Sequence, residues 1–141
     1  TPAAISLVLA QAQLLKLNEH ELAQLAGRNR RTVHGLEQST RDIARRHAIP
    51  RICVTAGSRG AGLLWDGEWR WEAARRVKVR DTIGAGDAFL AGLLAGLLVR
   101  RQGPRAALAH ACRMGEFVAA RDGSMPSYRC GPRGRPLDSA D

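Results

Sequence analysis

The stretch DTIGAGDAFLAG, residues 81–92, places two glycines around one alanine and an aspartate where a helix is expected to begin. Before it, residues 77–80 (VKVR) alternate apolar and charged side chains, which is typical of a half-buried strand. After it, residues 88–99 are apolar apart from glycines and contain no proline, which predicts a buried helix. The sequence therefore predicts a strand, a glycine turn and a helix in succession.

This arrangement predicts an anion site at the helix N-terminus. The N–H groups near Gly84, Ala85 and Gly86 are expected to lack partners within the helix and to point toward a bound phosphate. The carboxylate of Asp87 would repel that phosphate, so its expected role is that of a base for a hydroxyl that attacks the phosphate. The alternative is that Asp87 merely caps a helix behind a glycine-rich turn.

The string DTIGAGDAF, residues 81–89, resembles the C-terminal signature of the PfkB/ribokinase family of sugar and nucleoside kinases. The resemblance implies that Asp87 is the catalytic base and that the backbone of residues 84–87 is the anion hole for the transferred phosphate. It also implies an α/β fold, a partial three-layer ribokinase-like domain with a central, mostly parallel sheet, a β-hairpin and helices on both faces. ATP and Mg²⁺ are the cofactors that such kinases use.

Composition and charge are those of a globular protein. The chain has 141 residues, 45% of them apolar, which is enough for one domain with a core. Its net charge of +9 comes from 22 basic residues against 13 acidic ones. The arginines are scattered with few aromatic residues among them, so nucleic-acid binding is not expected. The longest apolar run, residues 88–99, is too short to cross a bilayer, so no membrane partner is expected.

The cysteines predict a reduced, cytoplasmic protein. Cys53, Cys112 and Cys130 are odd in number and widely spaced, without a C-x-x-C motif. This spacing argues against a disulfide framework and against a zinc site. Cys53 lies within an apolar strand pattern and is expected to be a core residue.

A polar cluster follows the first predicted strand. Residues 3–12 are predicted to form a helix and residues 13–17 a strand, after which Asn18 and Glu21 open a helix that ends at Gly27. An amide oxygen and a carboxylate at this spacing could hold Mg²⁺ through its waters. The alternative is a capping box formed by the same two side chains. The segment resembles the family's N-x-x-E motif, which implies that Asn18 and Glu21 organise Mg²⁺ and the phosphates.

A second glycine-rich turn, residues 56–62 (AGSRGAG), follows the strand predicted over residues 52–55. It resembles the family's T-x-G-x-x-G nucleotide loop. The resemblance implies that Thr55, Gly57 and Gly60 lie along the bound ATP.

The segment LLWDGEWRW, residues 63–71, predicts a hairpin, because Asp-Gly suits a tight type I′ turn. Trp69 and Trp71 share one face of its second strand and could stack on adenine or sugar. We expect them instead to pack against the sheet, because aromatic side chains usually serve burial. Further helices are predicted over residues 32–47 and 105–121.

Residues 121–126 (RDGSMP) resemble the family's closing R-x-G-A-x-P turn, most closely that of fructokinase-type members. The resemblance implies that Cys112 approaches the adenine. It also implies that the loop over residues 121–128 helps to enclose a monovalent cation, K⁺, near Asp81 and Ile83.

One residue of the last predicted helix departs from the family pattern. Glu116 places a charge where small or apolar residues are usual, so either it faces solvent or the register of the helix is wrong. Residues 1–128 are predicted to be the C-terminal, nucleotide-binding part of a ribokinase-like kinase domain. Residues 129–141, rich in proline, glycine and charge, are predicted to be a disordered tail. Nothing in the sequence resembles the half of such kinases that supplies the lid and most of the sugar contacts. The chain is therefore expected to be an inactive fragment.

The predicted function is ATP-dependent phosphorylation of a sugar hydroxyl, of fructokinase or ribokinase type. Its partners are ATP and a small sugar, and the resemblance allows a homodimer of the full-length protein. One alternative is a catalytically silent nucleotide-binding or subunit-interaction module, against which the joint presence of Asp87, Asn18 and Glu21 speaks. Another is a nucleoside or 2-keto-3-deoxygluconate kinase, which these residues do not distinguish from a sugar kinase.

Overall fold

A computed structural model describes residues 2–123 and 126–138. The chain divides into two compact units, a sheet unit over residues 1–73 and a helix-pair unit over residues 74–141. The sheet unit comprises α1 (Pro2–Gln11), β1 (Leu15–Asn18), α2 (Glu19–Ala26), α3 (Val33–His47), β2 (Arg51–Thr55), β3 (Gly60–Trp65) and β4 (Glu68–Ala73). The helix-pair unit comprises α4 (Ala85–Leu94), α5 (Pro104–Ala119), β5 (Tyr128–Cys130) and β6 (Pro136–Asp138).

The four strands of the sheet unit lie in the order β1-β2-β3-β4. The first pair is parallel and the other two are antiparallel, so the α/β class is confirmed but the sheet is mixed and not mostly parallel. The reason is the connection between β2 and β3. Residues 56–59 are too few for the crossover of about a dozen residues that a parallel pair needs.

The sheet unit is held together by large aliphatic side chains. They form one buried cluster with contributions from helices and strands: Leu9, Leu17, Leu22, Leu36, Ile43, Ile49, Ile52, Val54 and Ala56. Ile52 and Val54 lie on the same face of β2 because side chains alternate along a strand. The buried Thr40 hydroxyl donates a hydrogen bond to the Leu36 carbonyl at 2.7 Å, so it does not interrupt the packing.

The predicted hairpin is confirmed in its turn and in the role of its tryptophans. Asp66 and Gly67 have φ values of 48° and 90°, as a type I′ turn requires. Trp71 packs against the aliphatic cluster. The Trp69 ring covers Gly62, where a side chain would collide with it. Both indoles therefore pack against the sheet.

Close approach of two helices through small residues builds the helix-pair unit. α4 begins at Ala85, three residues before the predicted start at residue 88, and continues into a π-helical turn over Ala95–Val99. A Cβ added to Gly92 would lie 2.8 Å from the Met114 Cγ. One added to Gly96 would lie 3.1 Å from the Ala107 Cα. The contacts run in opposite directions along the two helices, so the helices are antiparallel.

The strand predicted over residues 77–80 is wrong. These residues lie outside every strand of the described chain, and Val79 is 53% exposed. The Arg80 N–H instead donates to the Ala119 carbonyl at the end of α5, at 2.8 Å. Alternating side chains favour an extended backbone, but a strand also needs a neighbouring strand to accept its hydrogen bonds.

The segment predicted to be a disordered tail differs from expectation over its described part. β5 and β6 pair in antiparallel fashion, and the Gly131 N–H donates to the Arg135 carbonyl at 2.8 Å across the turn. The Tyr128 ring meets the Phe117 ring of α5 edge to face, with centroids 5.3 Å apart. Gly131, Pro132 and Gly134 thus lie in the turn between two short strands.

Candidate functional site

Asn18 and Glu21 stand at the junction of β1 and α2, where the chain leaves the sheet. The Glu21 N–H donates to the Asn18 Oδ1 at 2.8 Å, and the Asn18 N–H donates to the Glu21 Oε2 at 2.7 Å. This is the capping box considered as the alternative to a metal site. It does not preclude a metal role, because a carboxylate has further lone pairs after it accepts one N–H. The box holds both side chains at the carboxyl end of β1.

The predicted nucleotide loop begins at the neighbouring strand end. Thr55 is the register partner of Asn18 across the parallel pair, and its hydroxyl donates to the Leu17 carbonyl at 3.5 Å. Gly57 and Gly60 have φ values of 56° and 127°, a backbone region that favours glycine. The structure therefore brings Asn18, Thr55 and the glycine loop together at one end of the sheet, where open α/β sheets bind ligands.

Arg59 connects these two segments and was not singled out from the sequence. Its guanidinium forms an ion pair with the Glu19 carboxylate in the first turn of α2. It also donates a hydrogen bond to the Arg31 carbonyl. The sequence carries no signal for this pair, because two exposed residues so far apart along the chain have no periodic relation.

The N-terminus of α4 carries the other predicted site residues. Gly84 precedes the helix with φ 80°, and Asp87 is an exposed residue of its first turn. The Ala85 N–H was expected to lack a partner, but it donates to the Thr82 carbonyl at 3.2 Å. Within the part of the chain that is described, the Gly86 and Asp87 N–H groups have no backbone acceptor. These two groups, beside the Asp87 carboxylate, can donate to an anion.

Gly115 supports this helix start from α5, and sequence reasoning missed it. A Cβ at position 115 would lie 3.2 Å from the Ala85 carbonyl oxygen and 3.4 Å from the Phe89 Cβ. The glycine therefore lets the first turn of α4 lie directly on α5. The spacing of Ala107, Ala111 and Gly115, four residues apart on one helix face, is the signal that could have identified it.

The predicted cation residues lie in the turn before α4. The Asp81 Oδ1 accepts the Ile83 N–H at 2.9 Å, which closes the turn. The Arg80 guanidinium pairs with the Asp122 carboxylate at 2.7 Å and so joins this segment to the loop that follows α5. Residues 124–125 of the predicted closing turn lie outside the described residues. Cys112, predicted to approach the adenine, is 6% exposed on α5.

Glu116 does not face solvent, because its side chain is only 12% exposed. Its carboxylate pairs with Arg113 at 2.8 Å and accepts the Arg75 N–H at 2.7 Å. A partly buried charge is tolerated when it is paired and hydrogen-bonded. Glu116 therefore fastens the start of the segment that leads to Asp81 and α4.

The donor set suits a hydrated magnesium ion better than a closed metal site. Across residues 2–123 and 126–138, no group of three or more His, Cys, Asp or Glu side chains could hold a metal ion. Mg²⁺ keeps several waters and uses one or two carboxylates together with substrate phosphates, which matches Glu21 beside Asn18.

His110 is the titratable group that stands out, because burial and then the nearby Arg100 lower its pKa below 6.5.

None of the helices described here is both long and apolar enough to span a bilayer.

Residues 1–129 match the pfkB family carbohydrate kinase profile. The chain is 36% identical over 124 residues to the fructokinase of Klebsiella pneumoniae, covering 83% of this chain and 38% of that protein. It is 31% identical over 93 residues to the 1-phosphofructokinase of Vibrio cholerae, covering 66% of this chain and 29% of that protein.

The fold is similar to that of a solved ribokinase. The structure of Arabidopsis thaliana ribokinase complexed with ribose and ATP superposes with a TM-score of 0.76 at 25% identity. The superposition covers 84% of this chain and 38% of that one. The chain thus spans well under half the length of these relatives. The family match over residues 1–129 nevertheless shows that the chain belongs to the pfkB family of carbohydrate kinases.

Proposed function

We propose that the chain carries the phosphate-binding and catalytic residues of an enzyme that transfers a phosphoryl group from ATP to a sugar hydroxyl. The observation that carries this proposal is the start of α4. An exposed carboxylate, Asp87, stands there beside backbone N–H groups of Gly86 and Asp87 that have no backbone acceptor among the described residues. That combination offers a proton acceptor and an anion site in one helical turn.

In the proposed reaction, the Asp87 carboxylate accepts the proton of the sugar hydroxyl as its oxygen attacks the phosphorus atom. ATP supplies the phosphoryl group. The first-turn N–H groups of α4 stabilise the negative charge on the transferred phosphate, and the positive φ of Gly84 sets their direction. Gly115 lets this turn lie on α5, so the donors are held before the substrate binds.

Asn18 and Glu21 are proposed to hold Mg²⁺ through its waters, and the capping box supports this because it fixes both side chains at a strand end. Thr55, Gly57 and Gly60 are proposed to lie along the nucleotide. The register of Thr55 opposite Asn18 supports that role. Cys112 is proposed to contribute to the adenine pocket. Asp81 and Ile83 are proposed to lie at a K⁺ site, where the turn between them provides a carboxylate.

The proposed acceptor is a fructose-type sugar, because two relatives are a fructokinase and a 1-phosphofructokinase. The ribokinase of similar fold binds ribose together with ATP. We further propose that the present chain is inactive alone, since it spans 29% to 38% of these relatives. A homodimer of the longer protein and a cytoplasmic location belong to the same proposal.

Replacing Asp87 in the full-length protein tests the base. Asp87→Asn is expected to lower kcat by about a hundredfold or more, because general-base catalysis contributes on this scale. The KM for ATP should change little, since the amide keeps the size of the side chain. Asp66→Asn, in the exposed hairpin turn, makes the same chemical change away from the site and should leave kcat unchanged. An Asp87→Asn enzyme with near-normal kcat would refute the role.

A further inference from the structure

A cleft lies in the sheet unit between the loop that follows α2 and the polar face of α3. Its volume is about 320 Å³, and its lining is dominated by guanidinium groups: Arg28, Arg30, Gln38, Arg41, Asp42 and Arg45. None of these residues belongs to the nucleotide-binding set proposed above. A ligand bound in this cleft would therefore be independent of the proposed kinase activity.

The arginines of this cleft outnumber their acidic partners. Asp42 is shared, because Arg28 from the loop and Arg45 from α3 both form ion pairs with its carboxylate. Arg30 instead contacts the neutral amide oxygen of Gln38. Among the described contacts, no carboxylate pairs with Arg30, so its positive charge is not compensated at close range.

The fourth arginine is held in place from two sides. Arg41 pairs with the Glu37 carboxylate at 2.8 Å and donates to the Gly67 carbonyl of the hairpin turn at 2.8 Å. Counting Glu37 with Asp42, the cleft still keeps an excess of positive charge. Like charges crowded in this way repel each other, and a bound anion relieves the repulsion.

The walls of the cleft are set by the fold. Gln38, Arg41, Asp42 and Arg45 are three or four residues apart and share one face of α3. The opposite face of this helix carries the buried Ile43, which belongs to the aliphatic cluster. Arg28 and Arg30 approach from the loop, so guanidinium groups stand on both walls. An anion with oxygens at both ends can contact both walls at once.

We propose that this cleft binds a diphosphate-type oxyanion. Guanidinium groups suit such a ligand because their planar N–H donors match phosphate oxygens in pairs. Either a free diphosphate or the phosphate chain of a nucleotide presents this chemistry. Both sources would use the same arginines, and a titration with each of them distinguishes the two.

The test is calorimetric titration of the chain with inorganic pyrophosphate and, separately, with ADP. Wild type is expected to bind pyrophosphate. The double variant Arg30→Gln/Arg45→Gln should bind it at least about tenfold more weakly, because it loses two charge-assisted contacts. The matched control Arg75→Gln/Arg76→Gln removes the same charge from an exposed segment of the helix-pair unit and should bind as wild type does.

A third variant guards against loss of folding. Asp42→Asn removes the carboxylate that occupies Arg28 and Arg45, so pyrophosphate should bind more tightly to it than to wild type. Misfolding cannot produce that gain. Tighter binding of ADP than of pyrophosphate, lost in the same double variant, would identify a nucleotide as the source.

Three results would overturn the proposal. One is a folded wild-type chain that binds neither pyrophosphate nor ADP. Another is equal weakening in the cleft variant and the control variant, which would show that only total charge matters. The third is loss of pyrophosphate binding in Gly84→Val with full binding in Arg30→Gln/Arg45→Gln, which would place the ligand at the start of α4.

Discussion

The two units of this chain place their candidate site residues by different physical means. In the sheet unit, large aliphatic side chains such as Ile43 form the core, and backbone hydrogen bonds position Asn18 and Thr55. In the helix-pair unit, the helices approach through glycine and alanine, and Gly115 lets the first turn of α4 lie on α5. Asn18 and Thr55 therefore depend on packed aliphatic side chains, whereas the first turn of α4 depends on the absence of a side chain at position 115.

This difference predicts opposite sensitivities. Removal of side-chain volume should destabilise the sheet unit most, because cavities cost packing energy. Addition of volume should destabilise the helix-pair unit most, because its helices have no space for another side chain.

Truncation of the aliphatic core should have the largest effect. Ile43→Ala removes a fully buried side chain and is expected to lower the free energy of unfolding by about 2–5 kcal/mol. The control Ile5→Ala makes the same change at a residue that is 52% exposed and should cost less than about 0.5 kcal/mol. Chemical denaturation measures both. Equal costs would show that the cluster around Ile43 is not the core.

Addition of volume between the helices should rank second. Gly92→Val would force a Cβ to within 2.8 Å of Met114 and 3.2 Å of the Ala111 backbone, and about 1–3 kcal/mol of destabilisation is expected. Gly103→Val is the matched control, since nothing lies within 4 Å of a Cβ there. Thermal unfolding compares the two variants. A stabilised Gly92→Val variant would mean that the helices can separate at little cost.

Removal of the capping box should have a smaller effect. Asn18→Ala deletes the acceptor of the Glu21 N–H and should lower stability by about 1 kcal/mol. Asn29→Ala, in the exposed loop before α3, removes an amide with no capping role and is the control. Denaturant unfolding of both variants is the measurement. If the two variants unfold alike, the capping box contributes nothing to stability.

The smallest effect concerns pH. Burial and then Arg100 lower the pKa of His110 below 6.5, so the unfolded chain takes up a proton more readily than the folded one. The contribution of neutral His110 to the free energy of unfolding is present above pH 6.5, and it is lost as the pH falls toward the folded-state pKa. His110→Gln should therefore reduce the loss of stability on acidification. Melting temperatures across this range, compared with His47→Gln, measure the difference. Parallel pH profiles for wild type and His110→Gln would contradict it.

Local signals predicted much of the fold and of the candidate site. The Asp-Gly turn, the end of α2 at Gly27 and the capping box all depend on neighbours within a few residues, and all are present. The strand expected over residues 77–80 failed because pairing is a property of distant segments. The roles of Glu116 and Arg59 could not be predicted from the sequence either, because each contact joins residues that lie far apart along the chain.

We propose that the start of α4 is an anion site for a nucleotide phosphate. Calorimetric titration of the chain with a non-hydrolysable ATP analogue and Mg²⁺ tests this proposal. Gly84→Val places a branched side chain where φ is 80°, and the control Gly27→Val imposes similar backbone strain at φ 66° outside the site. We predict binding to wild type and to Gly27→Val, and loss of binding in Gly84→Val. A folded Gly84→Val chain that binds the analogue as wild type does would show that the start of α4 does not hold the nucleotide phosphate.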